Sequence, residues 1–507
     1  MLITFEINQL PSPSHINFLG IYIFMVSLFF ILTLNAVNSA IVHPGAKTAM
    51  TQSAFQNFLD AYSSVLVKEV QSDNIPDQYL NISLLFTKMK FHFKNIKISN
   101  FNIPQNAGKV TLSPPDLINI NFTNVDLLIS ADFDLEWFGH YTGNASILLQ
   151  NAQIQLPIEM KRVLNRPVID FNKLEIVASK KRFRFHSNNL FLSTIGYSQY
   201  VWPINKLENF ITWRAIESIS TKLNPTLSRF FNSLNYTFPV KNTNIALNYN
   251  FIEVFVSNPG FLEMGVTGGF LIPSNPTDTP PMAFMDSIIS WVTKADFRLQ
   301  LTDYFFNSYF WALSETGVLN TTINAGTQPE MAAFLTTTAL QLVIPGLQNT
   351  YGPNWPVSFV CGVGQYPKVS IVPGNINLNF SIYCTANVIE SIITNQAFSF
   401  AWDIGSKLNG NLNQIGEKLF LHYNLNVPST KFSNFRVTSS NIGDVDLSEV
   451  QKAVEFSIAS IISFINPLFG QSAIEVPLPG YTTITNPTIS TVERAAEISA
   501  TPIFSFV

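Results

Sequence analysis

The chain has 507 residues, enough for two domains and up to three. Charged residues make up 12%, about half the usual share of roughly 25%, while the hydrophobic fraction is 47% and Phe alone occurs 44 times. A net charge of −4 with no basic helix argues against a nucleic-acid binder, and so many apolar side chains with so few charges call for extensive burial.

In chain order, the first feature is Phe18 to Leu34, almost continuously apolar and followed by "AVNSA". Small residues at Val37 and Ser39 have signal-peptidase spacing, so residues 1–39 read as a signal peptide cleaved after Ser39; an uncleaved anchor is the alternative. No later segment is long and apolar enough to span a bilayer. The remainder therefore reads as exported, to the extracellular space or to a secretory or endolysosomal lumen.

The stretch "SAFQNFLDAYSSVLVKEV" carries Phe55, Phe58, Leu59, Tyr62, Val65 and Leu66 at three- and four-residue steps, which predicts an amphipathic helix. Period-two strands follow. "KMKFHF" sets Lys88, Lys90 and His92 against Met89, Phe91 and Phe93; "DFDLEWF" sets Asp132, Asp134 and Glu136 against Phe133, Leu135 and Trp137. "QIQLPIEM" alternates Ile154, Leu156, Ile158 and Met160 with mostly polar residues, and "KKRFRF" adds a basic run from Lys180 to Phe185. A second helix is expected over about Ile204 to Phe231, with Leu207, Phe210, Ile211, Leu223 and Leu227 on its apolar side and a kink at Pro225.

"PSNPTDTPP", Pro273 to Pro281, reads as a linker. Residues 40–272 hold 20 Lys and Arg against 16 Asp and Glu, a balance of +4; residues 273–507 hold 9 against 16, a balance of −7. The second half opens on "TDYFFNSYFWALSETGVL", a helix expected to start near Thr302-Asp303 and stop at Gly317. Its apolar residues cover most of the wheel, so both of its sides need cover. Strands such as "INLNFSIYCTA" come next, then a last helix from Leu447 to Phe469 with Val450, Val454, Ile458, Ile461, Ile462 and Ile465, opened by Asp446 and Glu449 as in a capping box. Each half thus reads helix, strands, long helix, strands. Long alternating strands imply a curved antiparallel sheet with a helix against its concave side, an α+β protein.

Cys361 and Cys384 are the only cysteines. An even pair in an exported chain points to a disulfide, stabilising by about 3 kcal/mol. Sequons stand at Asn81, Asn121, Asn144, Asn235, Asn320 and Asn379. There is no G-x-S-x-G elbow, since "GYSQY" at Gly196 lacks the second glycine. HExxH, a Gly-rich phosphate loop and CxxC are also missing from the sequence. The histidines beyond the leader, His43, His92, His140, His186 and His422, are scattered. Nothing here implies a cofactor, a metal site or an enzyme. A lipase-like hydrolase is the remote alternative.

"VHPGAKTAMTQSAFQNFLDAYSSVLVKEV", "DYFFNSYFWALSETGVL" and "SNIGDVDLSEV", in this order and flanking the Pro-rich linker, resemble the family of bactericidal/permeability-increasing protein, lipopolysaccharide-binding protein and cholesteryl ester transfer protein. The resemblance spans nearly all of the chain after residue 39. It implies two curved antiparallel barrels, each wrapped on a long helix and joined by a central sheet: residues 40–272 and 287–507, with 273–286 between them. It also implies apolar pockets for the acyl chains of a phospholipid or related lipid. Their expected lining is Phe55, Phe58, Leu59, Tyr62, Leu207, Phe210, Ile211, Phe305, Tyr309, Leu313, Ile458, Ile461, Ile462 and Ile465, with a wholly protein-packed aromatic core as the alternative for the 302–319 helix. Family members that seize lipopolysaccharide use cations at the tip of the first barrel. Lys88 matches one such position, with Lys90 and Lys94 beside it, and Lys180, Lys181 and Arg182 add to them as anionic-headgroup candidates. Asp132, Asp134 and Glu136 would oppose such a headgroup. The family's usual first-barrel disulfide has no counterpart, because residues 1–360 lack cysteine. A secreted lipid-binding or lipid-transfer protein is the expectation; a defence protein that binds bacterial envelopes or anionic membranes is the alternative.

Overall fold

The computed structural model describes residues 44–506 except 74, 84–86, 116, 164–165, 172–174, 189–201, 233–236, 241–242, 258–259, 276–279, 281–290, 292–293, 417, 457–465, 467–473 and 477. Strand β1 (Ala46–Thr51) runs straight into helix α1 (Gln52–Gln71), which Thr51 caps by accepting the Ala54 N–H at 3.1 Å. Then come β2 (Gln78–Ser83), β3 (Lys88–Asn102), β4 (Gly108–Ser113), β5 (Leu117–Glu136), β6 (His140–Val163), β7 (Arg166–Phe171) and β8 (Glu175–Ser187). They form an antiparallel sheet in the order β2-β3-β5-β6-β7, with β4 on β5 and β8 on β6. Helix α2 (Trp202–Asn232) lies against this sheet and against α1, and it continues through Pro225. The short strands β9 (Thr237–Pro239) and β10 (Ala246–Asn248) lead to β11 (Phe251–Ser257), β12 (Phe261–Val266) and β13 (Gly269–Leu271).

The second half begins with β14 (Phe297–Thr302) and α3 (Asp303–Glu315), then β15 (Thr321–Ile323) and the short helices α4 (Thr337–Leu340) and α5 (Pro345–Tyr351). Strands β16 (Val357–Val363), β17 (Lys368–Val372), β18 (Asn375–Glu390), β19 (Ile393–Ile415), β20 (Lys418–Leu425) and β21 (Lys431–Ser440) follow. With β15 and β22 (Ile474–Val476) they make the C-terminal sheet, in the order β15-β16-β18-β19-β20-β22, with β17 on β18 and β21 on β19. Helix α6 (Leu447–Phe456), β22 (Ile474–Val476), β23 (Thr482–Val492) and β24 (Ala495–Phe504) complete the described chain. Asp446 accepts the Ser448 N–H at 2.8 Å, but Glu449 pairs with Lys452 at 2.7 Å. The ion pair takes the carboxylate that a capping box would turn back to residue 446, so the expected box is half formed.

The fold is α+β, with two curled antiparallel sheets. The curl has a local cause in the N-terminal sheet. Along β5 the buried residues run Ile118, Ile120, Phe122 and then Val125, Leu127, Ile129, Ala131, Phe133, Leu135. The step from 122 to 125 breaks the period of two, and the β5–β6 register shifts there. Asn124 absorbs the extra residue with a left-handed backbone, φ 57°. Strand β6 steps from Leu149 to Ala152 across Asn151 (φ 49°), and β3 from Phe93 to Ile96 across Asn95 (φ 50°). Such bulges bend a strand while returning its apolar side chains to the same face, and asparagine tolerates the left-handed region better than other residues with a Cβ.

A central sheet, β11-β12-β1-β14-β24-β23, draws strands from both halves. One of its faces buries Lys47, Glu263, Arg298, Gln300 and Glu497. Gln300 donates to Glu497 at 3.1 Å and the Trp291 indole donates to Glu263 at 2.7 Å. The Arg298 guanidinium lies over Phe261 and Trp291, 4.4 and 4.9 Å from their ring centres.

The bulge argument makes a stability prediction. Asn124 is exposed, so its replacement tests backbone conformation with little change in burial. Asn124→Ala should lower stability by about 1–2 kcal/mol in urea unfolding, and Asn124→Gly should leave it nearly unchanged.

Candidate functional site

The concave face of the N-terminal sheet is an aromatic wall. Phe133 on β5 stacks on Phe185 of β8 at 4.3 Å and stands 6.0 Å from Phe91 of β3. Phe91 stacks on Phe93 at 5.7 Å, and Phe183 lies 6.3 Å from Phe185. Alternation along each strand puts these rings on one face. Helix α2 contributes Leu207 and Ile211, both buried, and half-buried Phe210, whose ring is 5.8 Å from Phe93. Lys181 shares the strand parity of Phe183 and Phe185, and it meets Glu208 of α2 at 3.4 Å, a charged pair at the seam of β8 and α2.

The other nominated residues of this half lie elsewhere. Phe55, Phe58, Leu59 and Tyr62 on α1 are buried, and the aromatic ones form a knot with the far end of α2 and the C-terminal segment. Phe58 is 4.3 Å from Phe230, 5.5 Å from Phe504 and 5.4 Å from Phe506; Phe55 is 6.0 Å from Phe231. Along α2, Leu207 and Phe230 are separated by roughly 35 Å at 1.5 Å per residue. The Tyr62 hydroxyl donates to Glu69 and accepts from Thr226, each at 3.0 Å. Burial pushes its phenol well above the usual tyrosine range.

In the second half, protein touches α3 on both sides. Phe270 of β13 lies 5.2 Å from Phe305 and 4.7 Å from Tyr309, while Tyr423 of β20 lies 5.8 Å from Tyr309 and 6.0 Å from Phe310. Asn307 holds β17 by donating to the Val369 carbonyl at 3.0 Å and accepting the Val369 N–H at 2.6 Å. Phe305, Tyr309 and Leu313 are fully covered by protein atoms. A gap of about 10 Å³ between α3 and the central sheet, bordered by Phe306, Ile376, Leu408 and Tyr423, is at the lower limit for one water. Ile458, Ile461, Ile462 and Ile465 lie outside the described residues.

Apart from Lys181, the charged candidates sit on the convex face. Lys90 pairs with Glu136 at 3.0 Å. Lys94 pairs with Asp134, and its ammonium holds that carboxyl below the usual range. His92 meets Asp77 at 3.2 Å and stacks on exposed Tyr79 at 4.2 Å. The acidic residues thus take up Lys90 and Lys94; Lys88 is exposed. The basic run on β8 divides by parity. Lys181 turns to the α2 seam, while Lys180 and Arg182 are exposed outward with Arg184, which the sequence reading did not single out. Strand order places β5 and β6 between the β3 and β8 cations, roughly 14 Å across three strand spacings.

Cys361 and Cys384 stand directly opposite on β16 and β18 and are disulfide-bonded. Asn81, Asn144, Asn320 and Asn379 are exposed; Asn121 is half-buried with its amide oxygen covered; Asn235 lies outside the described residues. Phe91, Phe93, Phe133, Phe183 and Phe185 were readable as one strand face, yet family resemblance alone did not mark them as a site.

The fold presents apolar concave faces backed by helices, with ionic groups sorted mainly to the outside. The comparisons give the particular family. A model of the LBP / BPI / CETP family, C-terminal domain, matches residues 241–501, about half of the chain. The human BPI fold-containing family C protein is 23% identical over 467 residues, covering 88% of this chain and 89% of that protein. A crystal structure of lipopolysaccharide binding protein shares the fold with a TM-score of 0.53 at 15% identity, covering 92% of this chain and 100% of that one. The chain belongs to the LBP/BPI/CETP family, and family and fold are those of lipid-binding proteins. No described helix is long and apolar enough to cross a membrane.

The hydrogen bonds of Tyr62 tie α1 to α2 at the aromatic knot. Tyr62→Phe keeps the ring and removes the hydroxyl, so thermal or urea unfolding should report a loss of about 1 kcal/mol.

Proposed function

We propose that this protein is an exported lipid carrier. It holds the acyl chains of a phospholipid or related lipid against its concave faces and performs no turnover chemistry. The observation that carries the reading is the aromatic wall of β3, β5 and β8, which Phe210 of α2 covers at Phe93 and which a guest reaches as that contact opens. An acyl chain gains from such a surface as a protein side chain does, about 25 cal/mol for each Å² removed from water. The Lys181–Glu208 pair at the seam suits the polar end of the guest. On this reading residues 1–39 are a leader, 40–272 and 287–507 are the two lipid-binding halves and 273–286 is the linker. The exposed sequons and the disulfide fit a secretory route. Phe305, Tyr309 and Leu313 serve as the packed base of the second half, and Ile458, Ile461, Ile462 and Ile465 are proposed lipid contacts.

Native mass spectrometry of the purified full chain tests the reading. A mass exceeding the polypeptide and its glycans by that of a phospholipid or similar lipid is expected; a lipid-free mass under gentle ionisation overturns it. Phe210→Glu puts a carboxylate beside Phe93 and should lower recovered lipid about fivefold or more, since burying a charge in apolar surroundings is strongly opposed. Phe210→Leu should retain the lipid.

A second reading, an envelope-binding defence protein of the same fold, is favoured by the exposed row Lys180, Arg182 and Arg184. It predicts binding to anionic vesicles or lipopolysaccharide that weakens as salt rises. The triple change Lys180→Gln, Arg182→Gln, Arg184→Gln should lower that binding about tenfold or more at low salt. Salt-independent binding, or binding unaffected by the triple change, removes this mechanism.

A further inference from the structure

The far end of the C-terminal sheet carries the three most exposed large apolar side chains among the described residues of the second half, Ile392, Leu342 and Phe334, with Ile393 beside them. Ile392 is 98% exposed, Leu342 90%, Phe334 67% and Ile393 58%. They come from separate turns, and hydrogen bonds bring those turns together. Ile392 and Ile393 form the β18–β19 hairpin end, where Glu390 pairs with Ile393. The Ile389 N–H donates to the Pro356 carbonyl at 2.9 Å, and the Val357 N–H donates to the Leu335 carbonyl at 2.8 Å. Phe334 precedes Leu335, and Leu342 follows α4 two residues after Leu340. The opposite end of β18 adjoins the central sheet, where the Gly374 N–H donates to Thr491 at 2.7 Å. Strand β18 has 16 residues, so roughly 50 Å separates its two ends at about 3.3 Å per residue.

We propose that this end is a docking surface for a zwitterionic phospholipid bilayer, with Phe334, Leu342, Ile392 and Ile393 inserted among the lipids. Charge selects the occupant. Residues 299–367 and 369–406 contain no Lys or Arg, and Glu330 and Glu390 lie next to the apolar turns. The 440–456 segment, tied to this end by the Asn441 amide donating to the Gln396 carbonyl at 2.8 Å, adds one described cation, Lys452, held by Glu449 at 2.7 Å, against Asp444 and Asp446, so the end stays acidic and opposes an anionic surface. Half-buried Tyr351 and Trp355 stand behind the turns, as aromatic residues do at the headgroup level of membranes. The apolar residues project singly from turns that offer no charge pattern to orient a protein partner. The convex face of the N-terminal sheet is the reverse case, with cations dominating β3 and β8. The two ends therefore differ in the surface they fit.

This inference does not depend on the interior cargo. Flotation of the purified full chain with phosphatidylcholine vesicles, at about 0.05 and 0.5 M salt, tests it. The expected result is binding that salt leaves unchanged and that phosphatidylserine in the vesicles does not strengthen. Leu342→Ser with Ile392→Ser alters two exposed side chains, so circular dichroism should be unchanged. The pair should lower the vesicle partition about tenfold or more, from the apolar burial lost. Phe210→Glu should alter recovered lipid without altering flotation, which separates failure here from failure of the carrier reading. The proposal is overturned if the unaltered chain fails to float, or if the double variant floats equally well. It is also overturned if the double variant dissolves a dimer in sedimentation while vesicle binding persists, which would make this end a protein interface.

Discussion

A strand of twenty residues with alternating side chains places about ten of them on one face, and here that face is apolar. Strands β5 and β6, with 20 and 24 residues, are far longer than the usual five or six. Their common face must leave water along its whole length. A flat sheet would need an equally broad partner; a curled one can be closed by a single long helix. The asparagine bulges supply the curl; α2 supplies the long helix, and α1 covers β3 and β4 beside it. Placing apolar residues in phase with these bulges is thus the constraint on which the N-terminal half depends.

The two halves are not independent bodies stitched by a linker. Strand β1, near the start of the described chain, pairs with β14 from beyond the Pro-rich stretch, and β14 pairs with the last strand, β24. Phe504 and Phe506 then close the aromatic knot on α1. Arg298, Glu263 and Glu497 lie buried across the strands that meet at this junction. Removing charges from water costs several kcal/mol each unless partners compensate. Slipping β14 by one residue would turn Arg298 and Gln300 to the other face and separate them from Glu263 and Glu497, since side chains alternate. The buried charges therefore discriminate between registers where apolar residues alone would tolerate several. They fix how strands from the two halves align.

Much of this was legible from periodicity. The Phe55–Leu66 stripe, the Met89–Phe93 face, the helix through Leu207 to Leu227 and the aromatic helix of Tyr304 to Leu313 all emerge as elements of the expected kind. So does the cysteine pair. The bulges were also written in the chain, as three-residue steps inside period-two runs with an asparagine at each step, but a reading that searches for unbroken alternation passes over them. Cross-strand pairing was not legible. Lys90 and Lys94 look like free cations until register sets them beside Glu136 and Asp134, and Lys181 looks like its neighbours until parity turns it toward Glu208. The buried charges of the central sheet were least accessible of all, because that sheet gathers them from positions 47, 263, 298 and 497.

The sorting of polar groups sets limits on selectivity under the lipid-carrier reading. Phe91, Phe93, Phe133, Phe183 and Phe185 offer contact area and no hydrogen bonds. An apolar wall separates guests differing by one methylene by only about 1–3 kcal/mol, so chain length and saturation would be weakly distinguished there. Groups that form or refuse hydrogen bonds discriminate far more sharply, because an unmatched buried polar atom loses its partners. In the described N-terminal half such a group meets the wall at its edge, where Lys181 and Glu208 face each other between β8 and α2. A carrier built this way reads its guest at the polar end and accepts the tail with little discrimination. Choice between headgroups then rests on a few ionic residues at the seam, while affinity rests on the aromatic surface behind them.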